Sequence, residues 1–330
     1  MLPIVALLPL VACVGSSEDV TRSERGPSMV RVPAGVARLG AKQTPPVPGF
    51  MPPPLPGGAG LPPGAALPPG PALPIGRGEA PDRGLAPGGV RDVSRLPMPD
   101  LLPPRDVDVS TFWIDLTEVT QSQYADFLAD TGYRPPFVDE PWATEGWNWD
   151  GASAPATTRD HPVVLTNWWD ARAYCAWAEK RLPTEAEWQL AVLGPADDER
   201  VYPWGNTYDG ARLNHGTIAI PNYDDSDGYA RTSPVGAFPT GASRHGLLDA
   251  FGNAWEWTDD TRVASWDRVQ GERRGDRHVD PRTSSLDGLY AAVRGGAYFY
   301  DLRPNPAGER NGFLNELRRK STGFRCAKDA

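Results

Sequence analysis

Apolar and polar residues fall at helical spacing in only a few short stretches of this chain. The sharpest is NWWDARAYCAWAEKRLPTEAEWQLAVLG at 167–194. Asn167 can cap a first helix, with Asp170 in its first turn, where the helix dipole favours a negative charge. Trp168, Trp169, Tyr174 and Trp177 make that helix aromatic, and Lys180 and Arg181 suit its C-terminus. Pro183 then precedes Thr184 and Glu187, a T-x-x-E capping box that starts a second helix, and Gly194 stops it. A helix pair with that much aromatic surface must pack on something large. A further capping box, Thr120 with Gln123, opens a helix carrying Tyr124, Phe127 and Leu128. Elsewhere the pattern is one of short strands and long loops. Beyond Gly194 it holds no long helical period, only turns (WGN, DDSDG, FGN) and charged loops such as 262–280. Alone, it predicts an α+β protein with much irregular structure.

All 12 tryptophans lie between Trp113 and Trp266, which points to one core. With 33 Lys+Arg against 42 Asp+Glu the net charge is −9, which argues against nucleic acid as a partner. The chain opens MLPIVALLPLVAC, an apolar run too short to span a bilayer but suited to a signal-peptide core over 1–12. Leu10-Val11-Ala12-Cys13 reads as a lipobox, with Cys13 lipidated and residues 14–27 as a tether. The expected address is the bacterial cell envelope, anchored at the periplasmic or outer membrane. Val14 after the cysteine favours the outer membrane by analogy. No Lys or Arg precedes Arg22, so an ordinary signal peptide stays open as the alternative.

AYCAWAEKRLPTEAEW closely resembles the hallmark of the formylglycine-generating-enzyme (sulfatase-modifying factor, FGE-sulfatase) domain family. The resemblance extends upstream through MVRVPAGVARLG (29–40) and FWIDLTEVTQSQYADFL (112–128), and in the middle through HPVVLTNWWDA and YPWGN. SPVGAFP, HGLLDAFGNAWEWTDD, VRGG and GFRCA follow in the family's order, so that about 28–41 and 107–330 are covered. It implies a single domain over 28–330 with a C-type-lectin-like core, low in regular secondary structure and held partly by calcium. On that reading the stretch at about 42–106 is an insertion. Residues 45–104 hold 19 of the 37 prolines, in runs such as LPPGAALPPG, a composition that favours extended polyproline with glycine breaks. Loop closure disfavours such an insert only weakly. A docking segment for a proline-recognising partner and a plain low-complexity insert both remain open.

With Cys13 set aside, an exported chain holds two cysteines, Cys175 and Cys326, expected to pair in an oxidising compartment; two free buried thiols are the alternative. The family's matching cysteines form a structural disulfide. Calcium needs several hard oxygens from flexible loops, and the family has two such sites. Carried over, one uses Asn214, the His215 carbonyl, Asp227 and the Tyr229 carbonyl. The other uses Asp249, the Gly252 and Ala254 carbonyls, and Glu256. From the residues alone, solvated acidic turns (Asp224 and Asp225 among them) would explain the same pattern.

The family's oxidases carry two cysteines five apart between their RGG and GFRC motifs, which bind copper(I), a soft ion that prefers thiolate. Here the window RGGAYFYDLRPNPAGERNGFLNELRRKSTGFRC has no cysteine before Cys326, and no methionine or histidine. The four histidines (His161, His215, His245, His278) are scattered without metal-ligand spacing. No copper is therefore expected. Tyr298, Tyr300, Asp301, Arg303, Glu309, Arg310 and Asn311 remain as groups for the family's peptide-binding cleft, or as an ordinary polar surface. Two readings stay open: a lipid-anchored binding or structural module for a peptide or protein ligand, or an enzyme with oxidase-type or other chemistry in the same cleft. Oligomeric state is not legible.

Overall fold

The computed structural model describes residues 20–21, 25–40, 102–144, 146–217, 225–261, 266–283, 290–303 and 310–330. Cys13, the proline-rich 41–101 stretch, Asp224 and Glu309 lie outside them.

Short alternating runs build the first half. After β1 (Val20–Thr21) come β2 (Met29–Val32), β3 (Gly35–Leu39), β4 (Arg105–Val109) and β5 (Phe112–Asp115). Ala37, Leu39, Val107 and Val109 point inward, while Arg38, Asp106 and Asp108 alternate to the other face. Three helices follow: α1 (Gln121–Thr131), α2 (Trp168–Trp177) and α3 (Glu185–Leu193). Each opens with a reciprocal capping box, formed by Thr120 with Gln123, Asn167 with Asp170, and Thr184 with Glu187. The second half is β6 (Trp255–Thr261), β7 (Val269–Arg274), β8 (Arg277–Thr283), β9 (Tyr290–Arg294), β10 (Asn311–Leu314), β11 (Thr322–Gly323) and β12 (Ala327–Asp329). Pairing gives three four-stranded sheets, ordered β1-β2-β5-β12, β10-β9-β6-β11 and β3-β4-β8-β7.

Two apolar clusters fill the spaces between these elements. In one, Trp188, Leu190 and Val192 of α3 meet Val32, Val107 and Phe112 of the sheets. Nearly every α3 residue is buried, which accounts for its weak sequence periodicity. In the other, Tyr124 stacks on Tyr174 at 5.7 Å, with Phe127 and Phe324 edge-on to both rings. Trp255 and Trp257 complete that cluster, wholly buried. Beside them the Cys175–Cys326 disulfide ties α2 to the residue just ahead of β12 across 151 residues.

The structure corrects two sequence expectations. First, Lys180 and Arg181 do not end α2, which stops at Trp177, and Glu179 takes a left-handed conformation (φ 58°) that turns the chain. Lys180 reaches inward to Asp115 at 2.6 Å, and Arg181 bridges Glu187 and Asp329. Second, much of 262–280 is not loop but the β7–β8 hairpin. β7 is an exposed edge strand, VQGERR, with one buried side chain, so it lacks the apolar alternation that signals a strand.

Candidate functional site

The polar centre forms where β6 begins. Ahead of it, residues 249–253 make a tight turn, with positive φ at Asp249 (55°), Gly252 (94°) and Asn253 (54°). A Cβ on Gly252 would lie 2.2 Å from the Asn214 carbonyl oxygen, so only glycine fits this approach. Gly252 N–H donates to the Gly295 carbonyl, and Asn253 N–H to the Asn214 carbonyl. Gly216 meets the Phe299 backbone as closely, with a notional Cβ at 2.3 Å. Three loops are thereby locked together through backbone alone.

Inside this lock, Asn253 distributes the hydrogen bonds. Its Nδ2 donates to Glu118 Oε2 (2.6 Å), and its Oδ1 accepts from the Ser233 N–H (2.9 Å) and Asn214 Nδ2 (3.3 Å). Glu118 Oε1 accepts from the Ala254 N–H. Glu256 is fully buried and faces Arg325, with Oε1–Nη2 at 2.7 Å and Oε2–Nε at 2.8 Å; Trp188 Nε1 also donates to Oε2. The remaining Arg325 donors reach the Asp115, Leu116 and Leu248 carbonyls, so all five guanidinium N–H groups are satisfied. Burial raises the pKa of Glu118 well above the usual carboxylate range, helped by the nearby Asp249 and Glu256 charges. Asp249 is pushed to about 6 by burial, against the Gly236 N–H that donates to it.

The two expected calcium sets differ in their fit. In the first, Asn214 Oδ1 is buried without a hydrogen-bond partner, as a hard cation's ligand would be. Asp227 caps the same loop, accepting the His215 and Tyr229 N–H groups, so the carbonyl-bearing residues of that set are held around it. In the second, Asp249 lies near enough to Glu256 for the two charges to interact, but both Glu256 oxygens face Arg325, which already supplies the positive charge. Among the described residues no three His, Cys, Asp or Glu side chains gather as a metal cluster, so a cation here would depend on amide and carbonyl oxygens.

The expected cleft residues disperse. Tyr298 is buried and stacks on Trp147 at 6.5 Å. Tyr300 is half-buried, edge-on to Trp255 at 5.6 Å. Asp301 pairs with Arg303 (2.7 Å), which holds its carboxyl below the usual range. Arg310 is a core residue rather than a cleft group, because Glu185 meets it at 2.6 Å inside the protein; Asn311 is likewise fully buried. Glu118, Asn253 and Arg325 were not singled out from the sequence. The only signal for them is a charged or amide side chain set among apolar neighbours in LTEVT, FGNAW and GFRCA.

This is a lectin-like α+β scaffold of three short helices and three small sheets joined by long loops, closed by a disulfide and a buried glutamate–arginine pair. The sulfatase-modifying factor enzyme 1-like (FGE-sulfatase) domain matches residues 72–330, and the chain belongs to that family. A formylglycine-generating enzyme from Thermomonospora curvata is 35% identical over 266 residues, 69% of this chain and 85% of that protein. An inactive C-alpha-formylglycine-generating enzyme 2 from Bos taurus is 34% identical over 217 residues, 56% of this chain and 71% of that protein. In fold, the chain is similar to PvdO from Pseudomonas aeruginosa, with a TM-score of 0.60 over 92% of this chain and 95% of that one, at 21% identity.

Next to Arg310 and Glu185, the Asp260 carboxylate accepts the Glu185 and Thr283 N–H groups. Burial, with the Glu185 charge second, moves its pKa from 3.8 to about 7. The folded protein thus binds more protons than the unfolded chain between these values, and stability falls as pH rises through that window. Asp260→Asn does not titrate. Its stability relative to wild type, measured by urea unfolding, should rise by roughly 2–4 kcal/mol between about pH 4 and pH 7.5. A gap that stays constant with pH would show that Asp260 is ionised throughout.

Proposed function

We propose that this chain is a non-oxidase member of its family, an exported, lipid-anchored module that binds or organises a peptide or protein partner. The observation that carries the reading is the window 294–325, which offers no thiolate, thioether or imidazole where the family's oxidases need soft copper ligands. Tyr298, Phe299, Tyr300 and Phe313 hold part of that region instead and pack against tryptophans and one another. That one close relative is named inactive adds support. Calcium serves as a folding ligand at the first set, where the unpartnered Asn214 Oδ1 would face it, with Asp227 and the His215 and Tyr229 carbonyls completing the shell. The competing reading is a protein-cysteine oxidase or another oxidoreductase in the same cleft.

Incubation of the full chain with a sulfatase-type cysteine peptide, with and without copper, should give no formylglycine by mass spectrometry. Elemental analysis of the same preparation should find calcium near one per chain and no copper. Turnover above a no-enzyme control, or stoichiometric copper, would overturn the proposal.

Anchoring rests on Leu10-Val11-Ala12-Cys13. In a bacterial host, wild type should take up a palmitate analogue and sediment with membranes, while Cys13→Ser should lose both properties. If wild type remains unlabelled, the lipobox reading fails.

A further inference from the structure

We propose that a groove at the end of the β3-β4-β8-β7 sheet binds a tetrahedral oxyanion, a phosphate or a sulfate group. This groove lies on a different sheet from Glu256 and the loops around it, and nothing in the reading above uses it. It is an open depression of about 770 Å³, lined by Arg38, Arg105, Arg273 and Arg277 with only Asp106 and Asp276 as carboxylates. Four guanidinium groups against two carboxylates stand out in a chain of net charge −9.

Two of the four are already paired: Arg38 with Asp106 at 2.8 Å, and Arg277 with Asp108 at 3.4 Å. Among the described residues, Arg105 and Arg273 have no carboxylate within 4.0 Å. Both lie close to His278. His278 is buried on β8, and its Nδ1 has no hydrogen-bond partner. Arg273 lies directly across from it in the β7–β8 register, so the two side chains leave the same face. Trp266 joins the set: Arg105 sits over its ring at 5.1 Å, and His278 stacks on it at 5.7 Å. Trp266 Nε1 donates to the Pro103 carbonyl, which fixes the chain just ahead of Arg105. Burial lowers the His278 pKa, and Arg273 and Arg105 lower it further, so both guanidinium charges reach this point.

Arg105 and Arg273 are exposed, so this face presents to solvent two guanidinium forks that no carboxylate neutralises, beside an imidazole nitrogen without a partner. A tetrahedral oxyanion suits it, because its oxygens can each take one tine of an arginine fork. Such a group could be a free ion or be carried on a larger anionic molecule, and the chemistry of recognition is the same.

Isothermal titration calorimetry on the full chain at low ionic strength tests the assignment, using sodium phosphate, sodium sulfate and a sulfated tetrasaccharide as titrants and sodium chloride as the control. Phosphate or sulfate should bind saturably and more tightly than chloride. The Arg105→Gln/Arg273→Gln double variant should weaken this by about tenfold or more, equal to about 1.4 kcal/mol. Arg273→Gln alone changes an exposed position, and its melting temperature should match wild type while its affinity falls. Arg244→Gln, at an exposed ion pair with Asp198 elsewhere, should bind as wild type does. Binding of the tetrasaccharide alone, lost in the double variant, would assign the group to a larger carrier and sustain the proposal. If no titrant binds better than chloride, or if folded variants bind as wild type does, the proposal is overturned.

Discussion

One buried ion pair organises this scaffold. Removing the Glu256 carboxylate and the Arg325 guanidinium from water is strongly unfavourable, and their mutual attraction offsets that only with good geometry and every remaining donor satisfied. Both conditions are met here. Arg325 makes two hydrogen bonds to Glu256 and gives its other three N–H groups to the Asp115, Leu116 and Leu248 carbonyls, while Trp188 steadies Glu256 from α3. A single side chain thereby fixes the exit of β5, the turn before β6, β6 itself and, through Glu256, α3. The next residue, Cys326, joins α2 through the disulfide and donates its N–H to Asp115, the partner of Lys180. Neighbouring residues at the chain's end thus hold segments spread over two hundred positions.

Around that pair the loops have little regular structure to position them, and polar contacts do it instead. Asn253 connects Glu118, Ser233 and Asn214, and its left-handed backbone is what lets the side chain turn back on the loop. Glu118 is a third carboxylate near one guanidinium, and burial, with the Asp249 and Glu256 charges after it, raises its pKa. In a scaffold of this kind stability and site geometry are the same set of contacts. A change at Asn253 would therefore disturb Glu118, Ser233 and Asn214 together.

The local parts of the fold were legible in the sequence because their causes are local. Thr120 with Gln123 and Thr184 with Glu187 bond across three residues, and each opens the helix expected of it. The Cys175–Cys326 pair was legible for another reason, the cysteine count and the family resemblance, since the two lie 151 residues apart. The site was legible only in outline. The resemblance implies Asp249 and Glu256 as ligands of one cation, and the positive group that meets Glu256 is an arginine 69 positions away. No spacing rule carries a partnership of that range. Lys180 looked like a helix end and is a buried counter-charge. The β7–β8 hairpin escaped notice because an exposed, charged edge strand has no apolar alternation to read.

A double-mutant cycle on Glu256 and Arg325, followed by urea unfolding with a calcium chelator present, tests most directly whether this pair holds the structure. Glu256→Gln and Arg325→Met should each lose about 3–5 kcal/mol, since each leaves an uncompensated buried group. The double variant should lose well under the sum, because the two groups share one interaction. Singles within about 0.5 kcal/mol of wild type, or a double variant equal to the sum of the two, would contradict the account.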